Sequence, residues 1–175
     1  GIQTVYVYDI RPENAQRFVE EAKAKYPAVE FSAVADPGEA VPDSDIIVCV
    51  TLANEPIIQE SWLKKGCLLM NMADYEVTYG CVQRASKIVV DFWDTIKHRM
   101  ISTVALMWKE GLIQEEDITA QLGEILNGKR PGRENDDEII YFNSVGTGIL
   151  DLAVVTRCYR KALETKTGTT LHYWA

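Results

Sequence analysis

The sequence predicts an α/β fold, a parallel sheet flanked by helices that is missing its first βα unit and carries a helical extension at its C-terminal end. Three observations predict it. Short apolar runs alternate with segments of helical period, the order expected of strands joined by crossover helices. Residues 45–50 are too apolar for a strand with one wet face and read as a strand buried on both faces. An acidic residue, Asp9, ends the first apolar run, yet no glycine-rich turn lies about 20 residues ahead of it, where such an acid normally has one.

The elements follow in order. Residues 4–8 alternate as a strand, and residues 12–26 form an amphipathic helix opened by Pro12. On that helix Ala15, Phe18, Val19, Ala22 and Tyr26 share one face. Residues 29–34 make a second strand, closed by the turn chemistry of Asp36-Pro37-Gly38. After the strand at 45–50, residues 56–63 look helical and Lys65-Gly66 ends them. Strands follow at 67–72 and 86–92, with a short helical stretch around 77–85 between them. Residues 101–108 and 115–126 read as helices, and 127–133 as a loop. A last strand at 138–142 precedes a helix over 148–163, expected to bury Ile149, Leu152, Ala153, Thr156, Tyr159 and Leu163. The organisation expected is residues 1–145 as the incomplete α/β domain and 146–175 as a helix and tail.

Composition narrows the function. The chain has 175 residues, 47% of them hydrophobic and 25% charged, with a net charge of -8. That charge argues against nucleic-acid or anionic-membrane partners. No apolar run approaches the roughly 20 residues that span a bilayer. Cys49, Cys67, Cys81 and Cys158 lack zinc-ligand or C-x-x-C spacing and read as reduced structural thiols in a cytoplasmic setting; no metal site is expected.

Polar residues at predicted strand ends are the candidates for chemistry, because ligands of open α/β sheets bind beyond the carboxyl ends of the strands. Asp9 can accept hydrogen bonds from both hydroxyls of an adenosine ribose, which favours NAD over NADP, whose 2'-phosphate would face the carboxylate. Its other reading is a turn or helix-cap residue. Arg11 could stack on adenine. Thr51 and Asn54 follow the strand at 45–50, either as cofactor contacts or as ordinary caps of the next segment. Asp74 follows the strand at 67–72, as a general acid or base or as a turn residue. Gly146-Thr147-Gly148 opens a helix, but Asp151 stands where a phosphate loop has its third glycine. His98 and His172 have no nucleophile or second ligand in reach and read as structural or surface residues. Lys129, Arg130 and Arg133 read as a solvated turn.

Together these segments resemble the ornithine cyclodeaminase/mu-crystallin family. Three stretches carry the resemblance. They are Gly128-Lys129-Arg130-Pro131-Gly132-Arg133 followed by Glu138-Ile139-Ile140, then Asn143-Ser144-Val145-Gly146, then Asp151-Leu152-Ala153 with Tyr159-Arg160-Lys161-Ala162. The resemblance implies a Rossmann-like NAD-binding domain beside a substrate and dimerisation domain, and hydride transfer at the nitrogen-bearing carbon of a small amino or imino acid. A non-catalytic NAD(P)-binding role of mu-crystallin type is the alternative. It implies Asp9 as the ribose acid, Thr51, Asn54 and Ser144 near the nicotinamide half, and Asp74 nearest the catalytic aspartate. The loop after Asn71 is shorter than the family's and lacks its proline-glycine-lysine continuation. The glycine-rich loop and the substrate domain are expected on an N-terminal segment or second chain, the complete unit being a homodimer. Alone, this chain is expected to bind cofactor poorly and catalyse nothing.

Overall fold

Every strand among the described residues runs parallel to its neighbours. The computed structural model describes residues 1–171, so His172 lies outside the described residues. The chain divides into two units, residues 1–145 and 146–175. In the first, β1 (Thr4–Val7) pairs with β2 (Glu30–Ala33), and α1 (Pro12–Lys25) connects them. A second sheet takes the order β3-β4-β7-β5-β6, from β3 (Ile46–Cys49), β4 (Leu68–Asn71), β5 (Lys87–Val90), β6 (Ala120–Gln121) and β7 (Ile140–Asn143). The fold is thus a Rossmann-like α/β architecture, as the alternating sequence pattern predicts.

The two sheets leave a slot. Among the described residues, β1 and β3 each pair along one edge only. A groove of about 130 Å³ lies between those open edges, lined by Tyr6 and Tyr8 on one side and by Ile46, Ile47, Val48 and Cys49 on the other. Side chains of a strand alternate between faces, so four consecutive residues line one groove only if it meets the strand edge-on. In the doubly wound order 3-2-1-4-5-6, β2 and β1 take the places of strands 3 and 2, and β3 and β4 those of strands 4 and 5. The place of strand 1 falls at the groove.

That slot explains one correction. The strand at 45–50 is not buried on both faces. Ile47 and Cys49 enter the core, whereas Ile46 and Val48 are 55% and 54% exposed. β3 ends its sheet, so the apolar composition that signals an interior strand is not matched by cover on its second face.

The core packs around β4 and β7. Leu69 and Tyr141 are fully buried and face each other in register, joined by Cys67, Val77, Val82, Val90, Ile96, Val104 and Met107. A smaller cluster of Val19, Ala22 and Phe31 seats α1 on β2. Phe18 and Tyr26, expected on that face, are instead about half exposed. Both lie at the margin of a narrow stripe made by Ala15, Val19 and Ala22.

Two helix expectations fail for identifiable reasons. Residues 56–63 hold a single 3-10 turn, Glu60–Trp62. The N–H groups of Ile57 and Ile58 both donate to the Glu76 carbonyl, and Ile58 bridges Val77 in parallel, which holds this stretch in extended pairing where a helix would begin. Residues 115–126 split into a 3-10 turn at Glu115–Asp117, β6, and α5 (Leu122–Leu126). There the Thr119 N–H donates to the Ile88 carbonyl, and the Thr119 hydroxyl accepts from the Ile88 N–H. Strand pairing with β5 outweighs helical propensity at that point. Short helices α2 (Tyr79–Gln83), α3 (Trp93–Arg99) and α4 (Thr103–Lys109) complete the connections.

Gly66, before β4, has a φ of +78°, and a Cβ there would overlap the Asp136 carbonyl. Gly66→Ala is therefore expected to destabilise the domain by more than about 1 kcal/mol, read as a lower denaturation midpoint.

Lys87 opens β5 with its ammonium group buried among three acceptors. It donates to the Gly132 carbonyl, to Glu134 at 2.6 Å, and lies 3.3 Å from Glu138. The bond to Glu134 raises the Lys87 pKa, while the Glu134 N–H and then Lys87 hold Glu138 below the usual carboxylate value. A lowered folded-state pKa contributes stability that is present above the unfolded value and lost as pH falls through the folded one. The raised Lys87 value acts at the other end, its contribution lost only as pH rises through it. Glu138→Gln is expected to flatten the acid limb of a stability profile measured by denaturant midpoints.

The second unit contains α6 (Gly148–Thr165), none of whose residues is buried. Ile149, Leu152, Tyr159 and Leu163, expected inside, are at least 60% exposed. The helix forms where the pattern predicts, and its apolar residues are exposed among the described residues.

Candidate functional site

Parallel strands deliver their carboxyl ends to one edge, and here that edge gathers polar groups from four adjacent strands. In sheet order they are Thr51 after β3, Asn71 at the end of β4, Asn143 and Ser144 at the end of β7, and Asp91 after β5. Asn71 sits at the centre and is fully buried. Its side-chain amide donates to Glu76 at 2.7 Å and to the Asp74 carbonyl at 3.2 Å, and its oxygen accepts from the Tyr141 hydroxyl at 2.9 Å. Its backbone carbonyl accepts from the Asn143 amide at 2.8 Å and from the Ser144 N–H at 3.2 Å.

Glu76 joins β3 to this centre. Its carboxylate accepts from the Thr51 N–H, from the Thr51 hydroxyl at 2.8 Å, from Asn71, and from the Ala73 N–H at 3.2 Å. On the other side Asp91 fixes the turn after β7. Its Oδ2 accepts from the Ser144 hydroxyl at 2.8 Å and the Val145 N–H at 3.1 Å, while Oδ1 accepts from the Phe92 N–H. Arg99 donates to the Val145 carbonyl at 2.8 Å, which holds the same turn from α3.

Of the residues expected at a site, the structure brings Thr51, Ser144 and the Asp74 backbone into one network. Asp74 itself is half-buried, and its carbonyl, not its carboxylate, carries its hydrogen bonds. Asn54 is exposed on the loop after Thr51. Asp9 lies apart, at the end of β1. It is not the cap of α1, a position that Arg11 holds without a side-chain bond. Its Oδ1 accepts from the Arg11 N–H at 2.8 Å and from Asn14 at 3.3 Å. Both bonds fall on one oxygen, leaving Oδ2 with no hydrogen bond among the described residues. The Arg11 side chain is exposed.

Glu76, Asn143, Tyr141 and Asp91 were not anticipated as site residues. Asp91 carries the same signal as Asp9, an acid directly after an apolar strand, and that rule applied evenly would find it. Glu76 carries none, since only the fold turns its carboxylate inward. Cys49 and Cys81 lie in the core beneath, their thiols pushed by burial to about 12 and about 11, so neither supplies a thiolate near neutral pH. Burial also pushes Tyr141 well above its ordinary value, leaving it a hydrogen-bond donor. Among the described residues, no three His, Cys, Asp or Glu side chains come together to hold a metal ion.

A parallel sheet with a ledge of fixed polar groups at its carboxyl edge defines an open α/β domain, the architecture in which ligands bind at that edge. The ornithine cyclodeaminase/mu-crystallin family model matches residues 1–166. The N-((2S)-2-amino-2-carboxyethyl)-L-glutamate dehydrogenase of Staphylococcus aureus is 34% identical over 173 residues, covering 99% of this chain and 51% of that protein. The Delta(1)-pyrroline-2-carboxylate reductase of Thermococcus litoralis, solved in complex with NADH and L-proline, gives a TM-score of 0.89 at 35% identity, over 97% of this chain and 53% of that one. An archaeal alanine dehydrogenase dimer with bound NAD gives 0.89 at 29% identity, over 99% and 53%. The chain belongs to the ornithine cyclodeaminase/mu-crystallin family. It spans about half the length of these relatives.

Proposed function

We propose that this chain is the larger part of the NAD-binding domain of an oxidoreductase acting on a small amino or imino acid. The observation that carries the reading is the ledge at the carboxyl edge, where Thr51, Asn71, Ser144 and Asp91 are locked in position across four strands. The family relatives named as a dehydrogenase, a reductase and an alanine dehydrogenase support the class, and two of them are described with NADH or NAD bound. They favour imine reduction or amino-acid dehydrogenation over cyclodeamination.

The residues fit the cofactor. Asp9 offers an unengaged carboxylate oxygen at the strand end where ribose hydroxyls are held, which also sets NAD above NADP. Arg11 lies on the exposed side for adenine. Thr51, Asn54 and Ser144 serve the nicotinamide half. When bound, the dinucleotide supplies or accepts the hydride at the carbon bearing nitrogen. Asp74 is assigned to the substrate nitrogen, giving it a proton as an imine is reduced and taking one in the reverse direction.

The site is completed from outside this chain. The slot between β1 and β3 takes one further parallel strand, whose following turn would bring backbone N–H groups to the pyrophosphate. That strand, with the substrate domain, belongs to an N-terminal segment or second chain. The apolar face of α6 packs on that substrate and dimer-forming part, so that the complete unit is a homodimer and this chain alone is inactive. Free cysteines, three of them buried, support a cytoplasmic setting. Among the described residues no helix is long and apolar enough to cross a membrane. Fluorescence titration of the full-length protein with NADH and NADPH tests the reading, followed by reduction assays on cyclic and open-chain imino acids. Failure to bind either dinucleotide would overturn it.

A further inference from the structure

We propose that Glu76 is a positioning residue that sets the nicotinamide side of the site, acting through Thr51 and Asn71 without touching the ligand. The proposal rests on the dinucleotide-binding reading above and concerns how that site is shaped.

Three features of its surroundings point this way. The first is saturation. An ionised carboxylate is an acceptor only, with about four lone-pair positions, and among the described residues Glu76 meets four donors and no cation. Thr51 supplies two of them to Oε1, while the Asn71 amide and the Ala73 N–H supply Oε2. The second is reach. These donors belong to the carboxyl end of β4 and to the loops that leave the adjacent strands β3 and β4, and the pairs span 25 residues on one side and 3 to 5 on the other. The third is that Glu76 holds the β3 loop at both ends. Its carboxylate takes Thr51 where the loop leaves β3, and its backbone carbonyl takes the N–H groups of Ile57 at 2.8 Å and Ile58 at 3.2 Å where the loop rejoins the fold. Residues 52–56, including Asn54, are therefore suspended between two anchors on one residue.

A buried charge is a poor device for stability alone, because desolvating it costs about as much as its partners return. The side chain is fully buried. An apolar residue of similar volume would fill the space, but it would leave the Thr51 and Ala73 N–H groups without acceptors. The carboxylate is the one group that satisfies both loops at once, and the loops it satisfies are the two that face the candidate nicotinamide side.

The same geometry makes glutamine a severe change. The amide keeps the shape, but its NH2 group faces either the Thr51 N–H or the Ala73 N–H and Asn71 amide in place of an acceptor, so a backbone donor of one loop is left unsatisfied whichever way the amide turns. ADP-ribose, which carries the adenosine and pyrophosphate but no nicotinamide, separates a local effect from a general one. In the full-length protein, Glu76→Gln is expected to weaken NADH binding roughly tenfold while changing ADP-ribose binding by less than about twofold. Circular dichroism and the thermal midpoint establish that the variant is folded. Should it fail to fold, Glu76→Asp keeps the charge but, one methylene shorter, cannot reach both Thr51 and Asn71, and the same pattern is expected at roughly threefold. Equal weakening of both ligands, or of neither, by the folded variant would overturn the proposal. A wild-type protein that binds neither ligand would instead overturn the dinucleotide-binding reading itself.

Discussion

Asp9→Ala in the full-length protein is expected to weaken NADH binding by roughly tenfold to a hundredfold and to leave NADPH binding much less affected. A hydrogen bond to a charged acceptor is worth about 1.5–3 kcal/mol, and its loss translates directly into affinity. The proposed ribose contact implies that the effect falls on the ligand. Oδ1 is already committed to the Arg11 N–H and the Asn14 amide, which fixes the carboxylate against the turn after β1. The second oxygen is then held in place without a protein donor, ready for a ribose hydroxyl. With the 2'-phosphate of NADPH, the same carboxylate brings charge repulsion, so its removal relieves as much as it loses. Asp9→Asn preserves an acceptor for the turn but drops the charge, and is expected to fall between the two. Fluorescence titrations with both dinucleotides give the ratio. An unchanged NADH affinity in Asp9→Ala would remove Asp9 from the site.

Local sequence marks Asp9 as a candidate and does not mark Glu76, for physical reasons. Asp9 stands at a boundary between an alternating run and a proline-opened helix, and both signals are local. The parallel strands and α1 were legible for the same reason, since each rests on residues close together in sequence. Glu76 depends on donors from Thr51, which are 25 residues away, and no local pattern marks a carboxylate that turns inward. Residues 56–63 look helical in sequence, but Ile57 and Ile58 pair in extended form with Glu76 and Val77, a tertiary effect. Residues 115–126 mixed helix-period spacing with a two-residue strand whose partner is β5, again a tertiary effect. Cover was the remaining difficulty. The apolar stripe of α6 and the exposed face of β3 have the composition of buried surface, and the sequence pattern alone cannot say which molecule buries it.

That distinction leads to a measurable asymmetry between two residues on neighbouring strands. Leu69 is fully buried at the centre of β4, in register with Ile47 on one side and Tyr141 on the other. Leu69→Ala is expected to cost about 2–5 kcal/mol, because both flanking strands fix the backbone and the cavity cannot collapse. Val48 is equally apolar and lies on β3, opposite Met70, but its side chain is on the face left open beside the slot. In this chain alone, Val48→Ala is expected to cost well under about 1 kcal/mol, as a half-exposed side chain has little transfer energy to lose. On the proposed completion of the sheet, in which a further strand fills the slot and its crossover helix covers that face, the cost in the full-length protein should approach that of a buried valine, while the Leu69 value stays nearly constant. Urea denaturation of both variants in both contexts reads the difference. If the cost of Val48→Ala did not change between contexts, the slot beside β3 would not be where the missing element docks.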